Sequence, residues 1–223
     1  MPSGSWERVA TARLRSLARV VRPVSHTAAG VENTLAIYLS LLGTPDGNTP
    51  SDAAKRQRYL DTMDTQRRRL SALFNAVFAY LPADTGTDNA SDLEQSFRHA
   101  AVLAGTLAAE RGVTVDAESD GASTPPMQIR RECIRQAILD GLLLAVEHTP
   151  AGAAVAARLS VDGETARLSI RAPAPEAPPT PTLPSEFVDC QEDLHAIGGA
   201  AHWNVAHDLH IELELPCSSA KRP

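Results

Sequence analysis

The stretch SHTAAGVENTLAIYLSLL (25–42) places a histidine one step before a long apolar run with helical spacing. An imidazole titrates close to neutral pH and can serve as nucleophile, proton carrier or metal ligand, so the position of His26 decides its use. With Val21 as heptad position a and Val24 as d, His26 falls at f, farthest from the seam, and faces water. A ring so exposed can enter a pocket on another protein. Pro23, three residues earlier, removes a backbone hydrogen bond, so the helix is expected to bend or to start afresh there.

The element that positions His26 is a long bundle helix. Leu14, Val21, Ala28, Leu35 and Leu42 form one heptad seam, and Leu17, Val24, Val31 and Tyr38 an interleaved one. The turn-rich segment GTPDGNTPSD (43–52) follows, with Thr49 as expected N-cap and Pro50 as first helical residue. A second helix then carries Leu60, Met63, Leu70, Leu73, Phe74, Val77, Phe78 and Leu81, interrupted at Arg67 where the spacing asks for an apolar residue. Two antiparallel helices cannot cover stripes this wide. The pattern predicts that the hairpin pairs with a second copy, giving a homodimer with a four-helix bundle. His26 lies about 24 Å before the helix end at Leu42, and an equal count from Ser51 reaches Arg67, Arg68 and Arg69. That count sets the arginine triplet level with the histidine. Guanidinium groups there would stabilise a phosphorylated imidazole or dock an acidic pocket.

Beyond residue 88 the period changes. Ser91 or Asp92 caps a helix through Leu93, Phe97, Leu103 and Leu107 that stops at Gly112, and VTVDAE (113–118) alternates as a strand. A helix from about Gln128 to His148 is apolar enough to be buried. AAVAARLSV and TARLSIRA flank Asp162-Gly163 as a hairpin, a proline-dense segment spans 173–184, and a last helix ends at Gly198-Gly199. HWNVA and DLHIELELP close the sheet. Four histidines (195, 202, 207 and 210) and two cysteines (190 and 217) gather in this region, yet alternation places Leu209, Ile211, Leu213 and Leu215 on one face and His210 on the other. That separation argues against a metal site.

Three widely spaced cysteines without a CxxC pair exclude a disulfide framework and point to a reducing cytoplasm. A net charge of −6 argues against general nucleic-acid binding, and no run reaches the length of a membrane span.

A helical hairpin followed by helix, strand, helix, two strands, helix and two strands resembles the core of sensor histidine kinases, over nearly the whole chain. His26 and the run from Leu35 to Leu42 stand at that family's spacing, with Thr27 in place of the usual acid and Gly30-Val31 in place of Asn-Pro. Within RQAILDGLLLAVEHTPAG (135–152), Asp140 and Leu144 stand where the family carries its metal-binding asparagines. Leucine offers a hard cation no oxygen. The adenine-reading Asp-Gly motif and the glycine-rich lid are also replaced. The chain is therefore similar to histidine phosphotransferases of bacterial phosphorelays, which keep the dimeric hairpin and a degenerate kinase-like domain without ATP.

The resemblance implies an α+β fold, with a hairpin dimerisation and phosphotransfer domain over 1–82 and a degenerate ATPase-like α/β sandwich over 88–223. It implies phosphotransfer through His26 rather than ATP-dependent kinase activity, with Arg22, Thr27, Gly30, Arg67, Arg68 and Arg69 as supporting or partner-binding residues. No cofactor of its own is implied, Mg²⁺ being supplied by the receiver. The implied partners are a second copy, a response-regulator receiver domain and a sensor histidine kinase. The competing reading is a non-catalytic dimeric adaptor or inhibitor that binds a response regulator or a histidine kinase.

Overall fold

The computed structural model describes residues 4–43, 53–81, 93–121, 131–162, 165–173, 191, 195, 199–205 and 208–216. Two long helices come first, α1 (Gly4–Gly43) and α2 (Ala53–Tyr80). They are followed by α3 (Leu93–Arg111), β1 (Thr114–Ser119), α4 (Arg131–His148), β2 (Ala154–Asp162), β3 (Thr165–Pro173), β4 (Ala200–Val205) and β5 (Asp208–Pro216). The heptads of the first two helices and the switch to mixed elements after them are both as expected. The cap at Thr49 and Pro50, the proline-dense segment, and most of the helix before Gly199 lie outside the described residues.

Helix α1 runs unbroken through Pro23, whose side chain is buried, so the helix does not begin anew there. The five strands form one mixed sheet in the order β1-β2-β3-β5-β4. β1 and β2 are parallel, as a crossover through α4 requires, and the other neighbours are antiparallel. Asp162 pairs with Thr165 to close the expected β2–β3 hairpin.

Alternation sorts the two sheet faces. Val155, Ala157 and Leu159 of β2, Ala166, Leu168, Ile170 and Ala172 of β3, and Leu209, Ile211, Leu213 and Leu215 of β5 are all buried on the helix side. The opposite face is polar, where Arg167 bridges Glu212 and Glu214 at 3.0 and 2.7 Å and Ser169 bonds the His210 ring at 3.1 Å. Neighbouring Glu214 raises the Arg167 pKa further above its ordinary value. His210 thus sits on the face away from the core, and among the described residues no cluster of three metal-ligating side chains occurs. None of the described helices is long and apolar enough to cross a membrane.

Helix α4 is enclosed on nearly all sides, with Ile134, Ala137, Ile138, Leu139, Leu142, Leu143, Ala145 and Val146 buried. Gly141 faces the sheet, and a Cβ there would stand 3.0 Å from Ile170 Cδ1, so glycine sets how closely α4 lies on β3. On α3, Ala100, Ala104 and Ala108 recur every fourth residue and are buried, a small-residue stripe that permits close helix packing. The helix ends in a Schellman motif: the amide of Val113 donates to Ala108 O at 2.8 Å and that of Gly112 to Ala109 O at 3.3 Å, with Gly112 at φ 67°. Leu142→Ala removes a fully buried side chain from this core. It is expected to lower unfolding stability by about 2–5 kcal/mol in a urea titration.

Candidate functional site

Beside the packing of α1 and α2 on α3, two sets of polar contacts among the described residues tie the hairpin to α4. At the first, the Arg135 guanidinium donates to Ala79 O at 2.8 Å and Tyr80 Oη donates to Arg135 O at 3.0 Å, tying the end of α2 to the start of α4. At the second, α1 crosses α4. Ser16 Oγ donates to Asp140 Oδ1 at 2.5 Å, and Gln136 Nε2 donates to Ser16 Oγ at 2.5 Å and to Asp140 Oδ2 at 2.8 Å. All three side chains are buried. One turn on, Arg19 grips Glu147 through Nε at 3.0 Å and through an NH2 nitrogen at 2.7 Å.

This arrangement changes the meaning of the two α4 positions singled out in the sequence. Asp140 is 2% exposed and committed to Ser16 and Gln136, and Leu144, one turn further along α4, is 3% exposed. A carboxylate so enclosed has exchanged water for protein donors, Ser16 and Gln136 among them, and these offset the cost of its burial.

His26 is exposed, as the heptad assignment requires. Leu17, Val20, Val24 and Ala28 of α1 join the core and Val31 is buried, whereas Leu14 and Val21 of the other seam are 67% and 59% exposed. Arg19 and His26 are seven residues apart, so His26 lies on the same face of α1 as the residue that grips Glu147. Arg22, Ser25 and His26 line an open depression of about 690 Å³ together with Glu110 from the last turn of α3. None of these four side chains makes a hydrogen bond or ion pair with another described residue.

The arginine triplet does not join them. Tyr38 and Tyr59 rings lie 5.2 Å apart. Twelve residues back along α1 is His26, and twelve forward along α2 is Ser71, so Arg67, Arg68 and Arg69 fall about one turn short of the level counted from the sequence. Arg67 and Arg68 instead both bind Asp64, at 2.9 and 2.6 Å, and hold its carboxyl below the ordinary aspartate range, Arg67 most strongly. Thr27 is half-buried and Gly30 exposed, with Gly30 O accepting from Thr34 Oγ1 at 2.8 Å. Glu110 was missed by the sequence reading, since nothing local connects it to a histidine on another helix.

Solved structures that share this fold are histidine kinases. The catalytic domain of histidine kinase ThkA, in a nucleotide-free form, superposes with a TM-score of 0.50 and 16% identity over 57% of this chain and 95% of that one. Full-length ShkA, crystallised with AMPPNP, gives a TM-score of 0.50 and 20% identity over 92% of this chain and 47% of that one. The ShkA match takes in the hairpin as well as the sandwich, while this chain spans about half of ShkA. At these identities the likeness is one of fold. No family profile and no curated protein matches the sequence. The chain is an α+β protein whose helices and mixed sheet have the histidine-kinase catalytic-domain fold.

Two stability measurements follow from the site. Asp140→Ala leaves Ser16 and Gln136 with buried donors to satisfy and is expected to cost about 1–3 kcal/mol by denaturant titration. Gly30→Ala meets nothing within 4 Å, so a gain of about 1 kcal/mol from helix propensity is expected in the same assay.

Proposed function

We propose that the protein is a histidine phosphotransferase of a two-component phosphorelay, acting as a homodimer in the cytoplasm without binding ATP. The observation that carries this reading is the pairing of an exposed, uncommitted His26 with an uncommitted Arg22 one turn away, on a kinase-type fold whose positions 140 and 144 are buried. His26 Nε2 attacks the phosphorus of a receiver aspartyl phosphate, the N–P bond forms as the P–O bond breaks, and the aspartate carboxylate leaves with the electron pair. The reverse step delivers the group to a second receiver. Arg22 neutralises charge on the phosphoryl oxygens, and the receiver brings Mg²⁺.

Support for the dimer comes from apolar surface left open on the hairpin. Leu60, Phe74 and Leu81 of α2 are exposed at heptad spacing, with Arg67 at the intervening step, and Phe78, stacked 6.3 Å from Phe74, is 65% exposed. With Leu14 and Val21 of α1 they make a stripe of the kind that marks an interface, and a second copy offers a matching one about a two-fold axis.

Mixing the protein with phosphorylated receiver domains tests the reading: acid-labile phosphate is expected on wild type and none on His26→Ala, and calorimetry should show no Mg-ATP binding. Scattering mass should be near twice 23.7 kDa, and Phe78→Asp should halve it without loss of helicity. Thr27 and Gly30 favour a second reading, a non-catalytic dimeric adaptor or inhibitor docking a receiver or a sensor kinase. Under it, His26→Ala keeps both partner binding and signalling output.

A further inference from the structure

We infer that Glu32 of each protomer pairs with Arg67 of the partner subunit, so that two inter-subunit ion pairs set the register of the hairpin dimer; the inference rests on the homodimer proposed above and not on phosphotransfer. The apolar surface left open on α1 is a line. At about 100° per residue Leu14, Val21 and Leu39 point within about 20° of one another, and Glu32, eleven residues after Val21, points the same way. All four are exposed. The line on α2 is Leu60, Phe74, Phe78 and Leu81, and Arg67, midway between Leu60 and Phe74, belongs to it. Each helix thus carries one charge of this kind inside an otherwise apolar line, and the two charges are opposite.

The heights agree as well. With Tyr38 and Tyr59 side by side at 5.2 Å, Glu32 stands level with Thr65, two residues or about 3 Å from Arg67. The same count sets Leu39 two residues from Leu60, Val21 midway between Phe74 and Phe78, and Leu14 two residues past Leu81. A two-fold axis parallel to the hairpin leaves heights unchanged, so the line of α1 meets the partner's α2 with apolar groups opposite apolar groups and Glu32 opposite Arg67. Within its own protomer Glu32 is not neutralised. Its helix neighbours at three and four residues, Ala28, Ala29, Leu35 and Ala36, carry no charge, and it makes no ion pair with another described residue. On α2 the balance is reversed, for Asp64 alone serves both Arg67 and Arg68. Asp64 takes the Nε and Nη2 side of Arg67, at 3.2 and 2.9 Å, and leaves Nη1 for a second carboxylate. A charge pair set in an apolar seam is costly in every alignment but the matched one, so it fixes how the two hairpins slide against each other.

Charge reversal in the full chain tests the pairing, with the dimer Kd taken from sedimentation and circular dichroism as the check on folding. Glu32→Arg and Arg67→Glu should each raise the Kd by about tenfold or more, because each sets like charges opposite one another. An equimolar mixture of the two variants should form heterodimers near the wild-type Kd, since the mixed pair restores opposite charges at both contacts. Mass-labelling one variant lets native mass spectrometry count them. A pair formed inside one protomer is rescued only when both changes stand in the same chain, so a mixture that forms no heterodimer would overturn the inference. So would single variants that dimerise like wild type, a result that leaves the homodimer itself intact. A monomeric wild type would end the homodimer and the pairing together.

Discussion

The structure depends on a buried carboxylate that must be hydrogen-bonded. Asp140 lies inside the interface between α1 and α4, and its two oxygens accept from Ser16 and Gln136. An apolar interface tolerates small rotations and slides, because one methyl group replaces another at little cost. A buried acid does not, since losing either donor leaves charge or lone pairs stranded in a medium that cannot solvate them. The bond to Ser16 therefore sets both the rotation of α1 about its axis and its height along α4. Together with the Arg19–Glu147 pair and the packing of Val20, Val24 and Ala28, that contact fixes where His26 lies.

The same contact accounts for what the kinase-type fold is used for here. α4 presents Gln136, Asp140 and Glu147 along a side that α1 approaches, with Ser16 and Arg19 as the facing groups. The sandwich and the hairpin are also held together at Arg135 and Tyr80.

Much of the fold could be read from the sequence because its signals are local and periodic. The two heptad helices, the stop at Gly112, the β2–β3 hairpin at Asp162 and the inward set Leu209, Ile211, Leu213 and Leu215 follow from spacing alone. The exposure of His26 also followed from its heptad position. The rest turned on contacts between residues distant in the chain. Ser16 reads as an unremarked polar residue until Asp140 is placed beside it, 124 residues away. The level of Arg67 to Arg69 was counted across a turn-rich connection that carries no helical period, so it was fixed only to within several residues. Which α1 seam faces inward was likewise undetermined by periodicity: Leu17, Val24 and Val31 point to the core, and the equally regular Leu14 and Val21 do not.

Glycine at position 141 carries an implication for how this molecule can change over time. With Ile170 already 3.0 Å from where a side chain would begin, α4 has no slack toward the sheet, and on its other side it is pinned by α1. A polar side chain in place of Leu144 would be set in the same sealed interior and would have to find its partners there. Change is therefore costly on both sides of α4 and is tolerated more readily along the exposed rim of α1 and α3.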